Sequence, residues 1–292
     1  MPRAALTPSE IRDFAFYGCV LVEDFLDAGE LAALRRHADE VLALPPGAGP
    51  ATHHYERCGG GADGGGGGAE SRRLCRVESF APQHAALAAL AREALAPLAA
   101  QLLGERAFLF KEKLNVKAAR GGGGYAPHLD GPSAASAGLA SRFVTAQLAV
   151  DEQTVRNGCL QVVMPRNACP DEEELEAAGV LLAPTGSDPD ADGRVGAISP
   201  AVAAQLAWQA LPCAAGSALL FHGLFPHRSP PNVSDAPRRT FYFLFNGESD
   251  GGDCHSRYIA HMAAARARFR ERAAGAGAGA GGGGAPAEAA ER

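Results

Sequence analysis

The side chains best suited to chemistry fall in two short stretches far apart in the chain. In Pro127-His128-Leu129-Asp130 an imidazole and a carboxylate stand at positions i and i+2. On an extended strand such positions share one face, so the pair can hold a single metal ion. Standing alone, the pattern more often describes a surface histidine followed by a turn aspartate. The second stretch, Phe221-His222-Gly223-Leu224-Phe225-Pro226-His227-Arg228-Ser229, is followed by Asn232, Ser234, Arg238 and Arg239. One more imidazole from it would put two histidines and a carboxylate on one face of an ion and leave the other positions open, the arrangement of non-haem iron(II) oxygenases. Open positions are what that chemistry needs, because a bidentate 2-oxo acid and O2 must meet on the same ion. Arg238 lies eleven residues beyond His227. On the next strand of a meander its planar guanidinium could clamp the far carboxylate of the 2-oxo acid. On the residues alone, His222 and His227 compete for the third ligand position, since both follow an apolar run.

Taken together, H-x-D, then H-x-S-x-x-N-x-S-x-x-x-R, with the turn Asn157-Gly158-Cys159-Leu160 between them, resembles the phytanoyl-CoA hydroxylase (PhyH) family of iron(II)/2-oxoglutarate dioxygenases over roughly Phe14 to Phe245. The resemblance implies a double-stranded β-helix core, a jelly roll of the cupin kind. It implies His128, Asp130 and His227 as iron ligands and catalytic centre, with Fe(II) as cofactor, 2-oxoglutarate as cosubstrate and O2 as the oxidant. It also selects His227 over His222, because only His227 has Ser at +2 and Arg at +11. Arg238 and Ser229 are then the implied grip on the C5 carboxylate of 2-oxoglutarate. Asn115, thirteen residues before His128, stands where ectoine hydroxylases of the same family place an Asn against the cosubstrate. A narrower likeness is to bacterial 2-aminoethylphosphonate hydroxylases, through Lys111-Glu112-Lys113-Leu114-Asn115-Val116-Lys117 and Tyr125-Ala126-Pro127-His128. Two departures bear on the substrate: Leu129 replaces a usual Gln, and Pro165-Arg166-Asn167-Ala168 replaces Pro-Gly-Ser-His.

Lys111, Lys113 and Lys117 alternate, so on a strand they share one face. Lining a barrel mouth, with Tyr125 nearby and Arg120 and Arg142 flanking, they would attract a phosphonate, phosphate or carboxylate. Facing water, they would be an edge that discourages strand pairing. Thr145 and Gln147 are same-face neighbours suited either to hydrogen-bonding the cosubstrate or to packing. Gly121 to Gly124, just ahead of Tyr125, reads as a mobile lid or as a close backbone approach. His37 and His261 read as surface histidines, and His53-His54, beside a mobile loop with no fixed partners for a metal site, as structural or solvent histidines rather than metal binders. The expected function is hydroxylation of a small anionic molecule, such as 2-aminoethylphosphonate. The alternatives are a hydroxylase of an acyl-CoA or amino-acid-like substrate, and a non-catalytic metal- or ligand-binding jelly roll.

These residues need elements to hold them. Thr7-Pro8-Ser9-Glu10 and Asp27 with Glu30 are helix-start signals, the second opening a helix that ends before Pro45-Pro46. Pro82 to Leu103 is rich in Ala and Leu and predicts another helix. From Phe108 onward, short apolar runs at 108–110, 114–116, 143–150, 160–163, 218–221 and 240–245, broken by Gly, Pro and Asn, predict an antiparallel barrel or jelly roll. Asn157-Gly158 is a hairpin-type turn signal. Asp171 to Ala178 and Pro200 to Ala210 read as helical excursions. The fold is therefore mainly β, its core covered by N-terminal α-helices. It is expected to be a single domain over 1–263, with a flexible Gly-rich loop at 58–70 and an Ala/Gly-rich tail at 264–292, a frayed helix end followed by disorder.

Composition narrows the partners. The 292 residues carry 27 Lys plus Arg against 33 Asp plus Glu, a formal charge of -6, so no basic field favours nucleic acid or an anionic membrane. Seven scattered cysteines without a C-x-x-C read as reduced thiols. With no signal-peptide pattern at the N-terminus and no stretch approaching the roughly 18 apolar residues of a span, a soluble cytoplasmic protein acting on a small molecule is expected.

Overall fold

The computed structural model describes residues 2–47, 49–57, 72–163 and 196–278. Helix α1 (Pro8–Tyr17) starts at a capping box in which the Thr7 side chain accepts from Glu10 N–H and the Glu10 carboxylate accepts from Thr7 N–H. It stops at Gly18, whose left-handed φ of 76° sends the chain into strand β1 (Cys19–Val22). Asp27 and Glu30 repeat the box for α2 (Ala28–Leu42), which buries Leu34, Ala38 and Val41. Strands β2 (Thr52–Arg57) and β3 (Arg72–Glu78) then pair antiparallel. Helices α3 (Ala85–Leu90) and α4 (Ala96–Leu103) run on through a π-helical turn at Ala91–Leu95. Pro97, two residues beyond it, lacks the N–H that a regular α-helical turn would give the Glu93 carbonyl, which accounts for the widening there.

The β region holds β4 (Ala107–Lys117), β5 (Tyr125–His128), α5 (Asp130–Ser136), β6 (Phe143–Ala149), β7 (Leu160–Val162), α6 (Pro200–Ala203), β8 (Gln209–Leu211), β9 (Ala218–His222), β10 (His227–Ser229) and β11 (Arg238–Gly247), followed by α7 (His255–Ala278). Every pairing is antiparallel, in a seven-stranded sheet ordered β1-β9-β6-β11-β4-β3-β2 and a four-stranded sheet ordered β5-β10-β7-β8. Alternation assigns the two faces of the large sheet. Val144, Ala146 and Leu148 on β6 and Phe241, Phe243 and Phe245 on β11 pack with Phe14, Leu34, Leu87, Leu95 and Leu98 from the helices. Each fully buried Val, Leu or Phe among them contributes roughly 1.5–3 kcal/mol. The intervening positions face the small sheet, where Leu219 and Phe221 meet Leu160, Val162 and Phe225. This is the jelly roll with covering helices that the sequence leads one to expect.

Several local expectations change. Asn157-Gly158 is a turn, but it carries the chain between the two sheets instead of closing a hairpin. The helix expected over Pro200 to Ala210 is one turn, after which Gln209–Leu211 joins β7 as a strand. His53 and His54 lie on β2. Helix α7 continues past 263 to Ala278. By length and mean hydropathy Ala85–Leu103 would suffice to cross a membrane, contrary to the reading that no stretch approaches this. Its Leu87, Leu95, Leu98 and Ala99 are, however, sealed in the core. The loop at 58–70, the helix expected at Asp171 to Ala178 and the Pro165–Ala168 departure lie outside the described residues.

Candidate metal and cosubstrate site

His128 ends β5 and Asp130 opens α5, so the pair does not lie on one strand. Leu129 between them is extended, with φ -118° and ψ 138°, which preserves the shared face of i and i+2. The Leu129 side chain points the other way and packs with Ile198 and Ala203. Its departure from the usual Gln therefore falls on a buried apolar anchor. Strand β10 sets His227 directly opposite His128, with the rings 4.2 Å apart. His128 Nε2 is 3.6 Å from Asp130 Oδ1 and His227 Nε2 is 3.9 Å from Asp130 Oδ2. The three donor atoms lie within 4.8 Å of one another.

Both imidazoles are held in the tautomer that a ligand needs. His128 Nδ1 donates to the Ala126 carbonyl at 2.7 Å and His227 Nδ1 to the Phe225 carbonyl at 2.8 Å, leaving the Nε2 lone pairs aimed at the common centre. Burial lowers the His227 pKa to about 4 and keeps the ring neutral. Burial acts against the Asp130 charge, but Lys113 and both imidazoles outweigh it and hold the carboxyl well below its usual range. His222 stands elsewhere: it packs against Phe14 and Phe225, and its Nδ1 accepts from Leu224 N–H at 3.0 Å. A second metal-competent trio, His37, Glu40 and His84, lies on α2 and ahead of α3. There His84 Nδ1 accepts from Leu87 N–H, so Nε2 carries the proton it gives to Glu40 and has no lone pair for an ion.

Beyond the triad, the inner face of the large sheet is polar. Arg238 is 2 % exposed; its Nη1 donates to Gln153 Oε1 and its Nε has no partner. Lys117, in register beside it, is 1 % exposed and donates to Ser229 Oγ at 2.8 Å, to the Gly158 carbonyl at 3.2 Å and to the Pro230 carbonyl. Burial, reinforced by the Arg238 charge, lowers the Lys117 pKa to about 7. Among the described residues no carboxylate lies within ion-pair distance of either cation. The unpartnered Arg238 Nε and the Ser229 hydroxyl, with the Lys117 charge beside them, fit the carboxylate of a 2-oxo acid. Thr145 Oγ1 and Gln147 Oε1, both buried on β6, also lack partners. They are available to a ligand crossing the sheet face.

The three lysines share the inner face but divide along it. Lys117 belongs to the Arg238 end. Lys113 lies near the triad with its Nζ 5.0 Å over the Tyr242 ring, and burial pushes its pKa down to about 8 while Asp130 pulls the other way. Lys111 is tied to Glu78 at 3.8 Å and sits over Tyr258. Asn115 Oδ1 accepts from Arg76 Nε at 3.1 Å, and the Arg76 guanidinium lies 5.3 Å over the Tyr125 ring. Glu78 is buried, a penalty overcome by Lys111, Arg76, His54 and Lys113, which hold it far below the carboxylate range. Arg76, Glu78 and Gln153 carry no signal in the sequence; they become legible only once β3 and the 150–158 turn are placed. Arg120 and Arg142 are not at the mouth: Arg120 pairs with exposed Asp235 and Arg142 donates to the Leu103 carbonyl. The glycine run is a close approach, since a Cβ on Gly122 would lie 2.3 Å from Ala118 N and one on Gly124 2.8 Å from the Ser229 carbonyl.

Residues 14–240 match the family model for phytanoyl-CoA dioxygenase (PhyH). The chain is 32 % identical over 256 residues to a methylphosphonate hydroxylase of Gimesia maris, covering 87 % of this chain and 86 % of that one. It is 34 % identical over 181 residues to a 2-aminoethylphosphonate dioxygenase of an uncultured bacterium, 62 % of each chain. Among solved structures it is similar in fold to EctD from S. alaskensis with 2-oxoglutarate and 5-hydroxyectoine, at a TM-score of 0.61 and 22 % identity, over 84 % of this chain and 77 % of that one. The chain accordingly belongs to the phytanoyl-CoA dioxygenase (PhyH) family and is a dioxygenase that depends on iron, 2-oxoglutarate and O2.

Proposed function

We propose that the chain hydroxylates a small phosphonate, coupling decarboxylation of 2-oxoglutarate to succinate and CO2 with insertion of oxygen into a substrate C–H bond. The observation that carries this reading is the placement of buried cations along the inner sheet face by the triad: Arg238 with Lys117 beside Ser229, and Lys113 four residues back along β4, facing Asp130. One end suits the cosubstrate and the other an anionic substrate. The names of the two relatives, both phosphonate enzymes, support the choice of anion.

Iron(II), 2-oxoglutarate and O2 supply the oxidant. The chain does the rest. His128, Asp130 and His227 hold the metal on one face, and the carbonyls of Ala126 and Phe225 fix the two rings. Arg238 and Ser229 anchor the distal carboxylate of 2-oxoglutarate, with Asn115, Thr145 and Gln147 along its path. Lys113 neutralises the phosphonate, with Lys111 further along the same strand, while Tyr125, over Lys117, borders the cosubstrate end. The Phe221 ring, 5.2 Å from His227, keeps the ligand side dry.

Replacing Lys113 by Met tests the substrate half of this reading. The expected result is a KM for methylphosphonate or 2-aminoethylphosphonate raised about tenfold or more, with 2-oxoglutarate affinity retained. An unchanged phosphonate KM would refute Lys113 as the anchor.

A further inference from the structure

We propose that Lys117 is a positioning residue for the cosubstrate: it orients the Ser229 hydroxyl toward the 2-oxoglutarate carboxylate and places a second positive charge beside Arg238. This rests on the reading that the Arg238 end receives that carboxylate. An ammonium has three N–H donors and no acceptor, and Lys117 spends its donors on Ser229 Oγ, the Gly158 carbonyl and the Pro230 carbonyl. Its own hydrogens therefore do not reach a ligand. The effect passes through Ser229. Because Ser229 Oγ accepts from Lys117, the hydroxyl hydrogen must point elsewhere and is free to donate to an anion held at Arg238.

The surroundings reserve this arrangement. Lys117 is wholly buried, with Arg238 in register on β11 and Tyr125 presenting its ring face at 5.7 Å. Gly158 supplies one acceptor from a φ of 74°, and a Cβ there would lie 2.2 Å from the Pro230 carbonyl and 3.0 Å from Lys117 Nζ. The turn is thus closed on the ammonium, and with β4 and β10 it fixes Ser229 two residues from His227. Burying a cation beside another cation is costly unless an anion joins them, and a dicarboxylate is such an anion.

The test is calorimetric titration of 2-oxoglutarate into the Fe(II)-loaded protein without O2, together with steady-state kinetics, for Lys117→Met, Ser229→Ala, the double variant and Arg238→Lys. Lys117→Met is expected to weaken 2-oxoglutarate about tenfold and raise its KM by a similar factor, with iron affinity and phosphonate KM unchanged. The double variant should be no weaker than the more affected single variant, because both act through one hydrogen bond. A folded Lys117→Met protein with wild-type affinity, or effects that multiply in the double variant, would overturn the proposal. If Lys117→Met does not fold, Ser229→Ala decides the matter, since unchanged affinity there removes the hydroxyl through which Lys117 is said to act. Arg238→Lys separates the underlying reading: unchanged affinity in that variant refutes the cosubstrate site itself.

Discussion

At the scale of single residues, His128, Asp130 and His227 owe their readiness to neighbours that do not touch a metal. Two backbone carbonyls set both tautomers, and Lys113 holds Asp130 charged against its burial. Asp130→Ala should abolish stoichiometric Fe(II) binding and 2-oxoglutarate turnover, while circular dichroism stays native; tight iron binding in that variant would remove Asp130 from the ligand set. His222 makes a separate prediction about stability. Burial lowers its folded-state pKa to about 4, below the 6.5 of an ordinary histidine, so its contribution is full above pH 6.5 and is lost as pH falls toward 4. The slope is at most about 1.4 kcal/mol per pH unit in that window. In metal-free protein, melting temperature measured from pH 7 to pH 4.5 should fall less steeply in His222→Leu than in wild type.

At the scale of elements, the triad is held by pieces too short to announce themselves. The spacing H-x-D was legible because i and i+2 share a face whether the second residue continues a strand or, as with Asp130, begins a helix. The offset of Arg238 from His227 put it on the strand after β10, where it stands in register with Lys117. Strands β5 and β10 were not legible, because four and three residues carry no readable periodicity. The importance of the Arg76–Glu78 pair on β3 comes from cross-strand neighbours distant in sequence, Asn115 opposite Arg76 and Lys113 opposite Glu78. The helical reading of 200–210 failed because cross-strand pairing with β7 overrides the Ala-rich composition. Gly158 shows what one turn controls. Gly158→Ala should cost about 1–3 kcal/mol in urea unfolding, since φ of 74° and the Pro230 carbonyl both oppose a Cβ. Wild-type stability would mean that the turn does not press on Pro230 and Lys117 as described.

At the scale of the whole molecule, a chain of net charge -6 gathers cations on the inner face of its large sheet. Lys111, Lys113, Lys117, Arg76 and Arg238 all come from the large sheet, while the small sheet contributes His128, His227 and Ser229. The helices stabilise that sheet from behind, through Phe241, Phe243 and Phe245, and leave the other face to ligands. The most direct measurement is substrate-stimulated succinate release with Fe(II), 2-oxoglutarate and O2, compared across methylphosphonate, 2-aminoethylphosphonate, their carboxylate counterparts and a CoA thioester. The expected result is stimulation by a phosphonate, with hydroxylated product and succinate formed one to one. Stimulation by the thioester or a carboxylate alone, with every phosphonate inert, would contradict it.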